Sequence, residues 1–75
     1  METIRKYETV THNNFLSVIF HPEPKTGMLP ELVGRIIPHN YGFDAFAMPS
    51  GDDMACWATQ QEAVEAIINN HVKTL

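Results

Sequence analysis

Three features of this sequence predict an α+β fold: a small antiparallel β-sheet of four to five strands with one C-terminal helix packed on one face. Apolar residues recur at helical spacing beyond Thr59. The residues before it fall into short β-branched and aromatic stretches separated by turn-forming residues. The 75-residue chain is 44% hydrophobic and 19% charged, the balance of a folding chain rather than a disordered one. That length holds one domain, residues 1–75, with a small core and modest stability.

The helix has the clearest signature. Thr59-Gln60-Gln61-Glu62 reads as a capping box, in which the Thr59 hydroxyl accepts from the Glu62 N–H and the Glu62 side chain reaches back. Ala63, Val64, Ile67, Ile68 and His71 then share one face, with Glu62, Glu65, Asn69 and Lys73 on the other. The spacing predicts a helix over about residues 60–73.

Phe15–Phe20 is aromatic and β-branched and follows a turn at Thr11-His12-Asn13-Asn14, so residues 3–10 are expected to pair with it as a hairpin. Residues 21–27, with two prolines and a closing glycine, read as a mobile loop. Leu29, Leu32, Val33, Ile36 and Ile37 fit helical spacing, but Gly34 interrupts the run and Pro38 ends it, so a strand over Leu32–Ile37 is preferred to a helix. His39-Asn40-Tyr41-Gly42 turns into a strand at Phe43–Met48, and Pro49-Ser50-Gly51-Asp52-Asp53 turns into another at Met54–Ala58.

Composition narrows the function classes. Five Lys and Arg stand against nine Asp and Glu, a formal charge of -4, and the basic residues are scattered, so no basic stripe awaits a phosphate backbone. The single cysteine, Cys56, has no partner for an internal disulfide, which fits a reducing, cytoplasmic setting. Neither a signal peptide nor a membrane-spanning run is expected.

One helix covers one face of a small sheet. Strand alternation puts Phe43, Ala45 and Ala47 together, and the small alanines assign that face to the helix. The opposite face is expected to carry Phe46 and Met48, with Val33, Arg35 and Ile37 from the strand before and Trp57 from the strand after. Residues 15–20 are apolar on both faces, Leu16, Val18 and Phe20 on one and Phe15 and Ile19 on the other, whereas a solvated sheet face normally alternates to polar. Large apolar side chains left in contact with water mark contact surfaces. The candidate interaction surface is therefore Val33, Arg35, Ile37, Phe46, Met48 and Trp57.

Catalytic signals are absent from the pattern. His12, His21, His39 and His71 are not at ligand spacing with one another or with Cys56 or a carboxylate, so no metal is expected. His71 reads as a structural histidine on the apolar face of the last helical turn. Cys56, flanked by Ala55, Trp57 and Ala58, reads as a buried small hydrophobe. Ser17 and Ser50 lack a nucleophile elbow, and Asp52-Asp53 looks like a solvated turn. No cofactor and no enzymatic activity are expected.

Val33-Gly34-Arg35-Ile36-Ile37, Gly42-Phe43-Asp44-Ala45-Phe46 and Trp57-Ala58-Thr59 before Glu62-Ala63 together resemble the three-stranded sheet plus helix of phage integrase amino-terminal and AP2-like DNA-binding domains, over about residues 32–72. Many small phage and bacterial proteins share that outline. The resemblance implies DNA binding through the sheet face opposite the helix, by basic and polar side chains. Here that face would offer Arg35 beside Asp44, Phe46 and Met48. The reading reached from the sequence is a small non-enzymatic protein-interaction module of phage or mobile-element accessory or inhibitor type, binding a protein partner or a second copy of itself. The alternative is a nucleic-acid-binding module of the integrase or AP2-like type.

Overall fold

The structure, a computed structural model, describes residues 6–23 and 27–74. Five strands, β1 Tyr7–Thr11, β2 Leu16–Phe20, β3 Glu31–His39, β4 Gly42–Ala47 and β5 Asp52–Trp57, precede one helix, α1 Gln60–Thr74. Every strand pairs antiparallel with its neighbour in the order β1-β2-β3-β4-β5. The α+β architecture expected from the sequence is the one observed. Residues 3–5 of the expected first arm, and residues 24–26 of the loop after β2, lie outside the described residues.

Residues 31–39 are strand, not helix. A helix there would span about two turns around Gly34, too short to offset its nucleation cost. As β3, the segment pairs with β2 on one side and β4 on the other. At the start of α1 the capping box forms as its residues require. The Glu62 N–H donates to Thr59 Oγ1 at 3.2 Å, and the Thr59 N–H donates to Glu62 Oε1 at 3.2 Å.

The helix buries Ala63, Ile67 and Ile68 against Leu16, Val18, Ile36 and Ala45. Ile36, Ile67 and Val18 are the largest side chains fully removed from water, each worth about 1.5–3 kcal/mol relative to exposure. The floor beneath the helix is made of small residues. Gly34 pairs with Ala47, and Ile36 with Ala45. A Cβ at Gly34 would fall 2.6 Å from Ile67 Cδ1 and 2.9 Å from its Cγ1. Glycine is there because Ile67 occupies the space a side chain would need.

Two irregularities decide which face several side chains take. The first lies between Val18 and Ile19, where Val18 pairs with Gly34 and Ile19 with Leu32, so Val33 is the extra residue of a bulge. Val33 was expected beside Arg35 on the helix-free face. The bulge breaks the two-residue period and turns it into the core, where it is 3% exposed.

The second lies between Asp44 and Phe46, opposite Cys56 and Asp53. Here Ala55 takes φ 77°, with its N–H bonded to Asp53 Oδ1 at 2.8 Å. The register on the far side of this bulge sets Trp57 against Phe43, on the helix side, where it packs on the core and its indole N–H donates to the Met54 carbonyl at 2.9 Å. Trp57 too was expected on the helix-free face and leaves it for this reason. Met48 lies past the end of β4 and lines a groove with Val33, Met54 and His71, again on the helix side.

Gly34→Ala should destabilise the fold by about 1–3 kcal/mol, the usual cost of overpacking a close-fitted core. Urea unfolding followed by circular dichroism measures it, and a midpoint unchanged within error would show that the helix does not depend on this close approach.

Candidate interaction surface

On the side of the sheet away from α1, the register assembles two rows. Val10, Ser17, Arg35, Phe46 and Asp53 form one across all five strands. Ile37, Asp44 and Cys56 form the next, with Phe15 beside Ile37 at the entry to β2. Ile19 and Leu32 extend the surface on the other side. Of the six residues singled out from the sequence, the structure brings Arg35, Ile37 and Phe46 together here, and places Val33, Met48 and Trp57 elsewhere. Phe15, Ile19 and Leu32 join the face. Phe15 and Ile19 follow from the alternation of β2, whereas Leu32 comes over only through the bulge.

The apolar side chains on this face are partly buried by one another and by polar groups that lie over them. The Arg35 guanidinium sits 4.7 Å from the centre of the Phe15 ring, a cation–π arrangement. The His12 ring stacks on Phe15 at 4.3 Å, and His12 Nε2 is hydrogen-bonded to Ser17 Oγ at 3.1 Å. Ser17 is buried beneath this cover. Arg35 Nε is buried and has no hydrogen-bond partner among the described residues, an unmet donor of the kind that costs about 1–3 kcal/mol.

Three of the four histidines belong to this face. His12 pairs with Ser17, His21 Nε2 lies 2.7 Å from Glu8 Oε1, and His39 Nε2 lies 2.8 Å from Asp44 Oδ2. Tyr41 stacks on His39 with the rings 4.8 Å apart and nearly parallel, and most of its surface faces water. Such convergence could not be read from the one-dimensional spacing, because each histidine comes from a different strand end. Among the described residues no group of three or more His, Cys, Asp or Glu side chains is arranged to hold a metal ion.

Cys56 is exposed on this face, not buried as its apolar neighbours in sequence suggested. Its register partner is Asp44. Local loss of hydration at the sulfur, then the hydrogen bond and negative charge of Asp44, push the thiol pKa up. Its neighbour is Gly42, where a Cβ would come within 2.9 Å of Sγ. A thiol held protonated is a poor nucleophile.

His71 sits on the other side of the molecule. Its Nδ1 is hydrogen-bonded to the Tyr7 hydroxyl at 2.6 Å, and its ring packs 4.6 Å from Phe20. Tyr7 and Phe20 are themselves in contact at 5.2 Å. The last turn of α1 is thereby tied to the first two strands. Partial burial raises the Tyr7 pKa above the usual tyrosine value.

No helix among the described residues is long and apolar enough to cross a membrane. No family model, curated protein or solved structure matches the chain, so the resemblance to integrase amino-terminal and AP2-like domains rests on the residues quoted for it.

Two outcomes follow from these contacts. Asp44→Asn should speed alkylation of Cys56 by iodoacetamide at pH 7 severalfold, because the carboxylate that holds the thiol protonated is gone; an unchanged rate would assign the raised pKa to desolvation alone. Tyr7→Phe should lower stability at neutral pH by about 0.5–1.5 kcal/mol through loss of the bond to His71. The folded state holds the Tyr7 proton more tightly than the unfolded one. Its contribution is thus complete below the unfolded value of 10.0 and is lost as pH rises above it. Urea midpoints between pH 7 and 11 should fall less steeply for Tyr7→Phe than for the parent, and parallel curves would remove Tyr7 from the alkaline transition.

Proposed function

We propose that the protein is a non-enzymatic interaction module that binds another protein through the helix-free face of its sheet. One observation carries this reading. Phe15, Ile19, Leu32, Ile37 and Phe46 are partly buried apolar side chains gathered around Ser17 and Arg35 on a face that no described element covers. Patches of this kind, rimmed by polar groups, belong to contact surfaces. Arg35 adds to it, since arginine with a stacked aromatic is the composition of binding hot spots.

The groups that could do chemistry on this face are engaged with one another instead. His39 pairs with Asp44, His21 with Glu8, and His12 with Ser17. The raised pKa of Cys56 argues in the same direction.

A nucleic-acid reading has one feature in its favour: the ring pairs His12–Phe15 and His39–Tyr41 resemble the stacking platforms that hold single strands. Against it stand Glu8, Asp44 and Asp53 around Arg35, the one arginine among the described residues, on a chain of charge -4. Backbone neutralisation would need a surplus of cations here, and the surplus is anionic.

Phe46→Glu puts a charge at the centre of the patch and leaves the helix side untouched. Parent and variant baits of equal thermal stability would be compared in capture experiments with and without nuclease, and in sedimentation velocity. Capture of one protein, or self-association, that Phe46→Glu abolishes and nuclease does not affect is the expected result. Material that vanishes with nuclease and with rising salt would transfer the face to nucleic acid. Identical behaviour of parent and variant in every arm would overturn the proposal.

A further inference from the structure

A groove of about 440 Å³ lies on the opposite side of the molecule from the proposed contact face, where the ends of β3, β4 and β5 meet the last turns of α1. Its apolar floor is Val33, Ala47 and Met54. The bulge that turns Val33 inward and the small side chain at Ala47 together leave this space open. Two carboxylates stand at its edge. The register sets Glu31 against Phe20 and Asp52 against Ala47, so both lie on the helix side of the sheet. Both are exposed, and neither side chain has a hydrogen-bond or ion-pair partner among the described residues.

Two further features give the groove the same electrostatic sense. It opens at the C-terminal end of α1, with Asn70, His71 and Thr74 in its wall. The His71 carbonyl accepts from the Thr74 hydroxyl at 2.8 Å, and the carbonyls beyond it form the negative end of the helix dipole, an environment that favours cations and in which Lys73 already stands. No lysine or arginine is among the lining residues.

We infer that this groove is a binding site for a primary alkylammonium group, with the alkyl stem over Val33, Ala47 and Met54 and the ammonium between Glu31, Asp52 and the carboxyl end of α1. An ammonium head on an apolar stem matches both parts of the lining, as a bare metal ion or an anion would not. Solvent-exposed ion pairs are individually weak, so the expected affinity is millimolar. The chemistry is shared by free alkylamines and by the lysine side chain of a peptide. It is independent of the contact face, since none of the groove residues lies on it.

The test is a titration of the ¹⁵N-labelled protein with n-butylammonium chloride at pH 7.5, against sodium chloride of equal ionic strength. Acetylated, amidated lysine serves as the peptide-borne form. Saturable amide shifts confined to residues 31–33, 47–54 and 70–74, weakened about ten-fold in Glu31→Gln/Asp52→Asn, are expected. Both changes are at exposed positions, so the spread of amide signals verifies that the variant is folded. Saturation by both probes assigns the groove to lysine side chains as well as free amines, and saturation by butylammonium alone assigns it to free amines. Shifts no larger than those from sodium chloride, or shifts that the double variant leaves unchanged, would overturn the site.

Discussion

Ile67 seated over Gly34 is the contact on which the arrangement depends. A five-strand sheet of this size has two faces, and the described residues hold one helix to cover them. The helix can serve a whole face only if it lies close, and closeness requires a floor without side chains beneath its centre. Gly34, Ala45 and Ala47 provide that floor, and Ala63 matches it from the helix. Once the smallest side chains are committed to the helix side, alternation sends the larger ones, Arg35, Ile37 and Phe46, to the other. The uncovered face thus follows from how the covered one is packed.

Much of this is legible in the order of the residues alone. The capping box at Thr59 and Glu62, the apolar helix stripe and the assignment of Ala45 and Ala47 to the helix side rest on periodicities of 3.6 and 2 that nothing interrupts. The errors cluster at the two bulges. One extra residue between paired positions inverts every side-chain assignment made by counting across it. A bulge with glycine in the left-handed region would have given warning, but Ala55 occupies that region here, held by its bond to Asp53. Val33 and Trp57 were misplaced for this single cause. Cys56 failed differently: the apolar character of its neighbours in sequence says little in an edge strand, where successive residues face opposite sides.

The histidines illustrate what a one-dimensional reading cannot assemble. His12, His21 and His39 occupy three separate strand ends, and the meander returns each of them to the same side of the sheet. Each covers apolar or polar surface by engaging a side chain already there, Ser17, Glu8 or Asp44. Of the apolar side chains on the face, Phe15 is covered in this way, by His12 on one hand and the Arg35 guanidinium on the other.

The two proposed surfaces would ask different things of a ligand, and the difference traces back to the same bulges. On the helix-free side, Leu32 is brought into line with Ile19 and adds to a face where apolar side chains surround Ser17 and Arg35. Surfaces of mixed apolar and cationic character suit extended protein contacts, in which many weak contributions add. On the helix side, the bulge that sends Leu32 across turns Val33 inward, and the floor it forms with Ala47 is narrow and edged by carboxylates. A narrow concave site selects a small group by shape and charge together. A shift of one residue in the pairing of β2 with β3 would exchange these side chains and alter both surfaces at once.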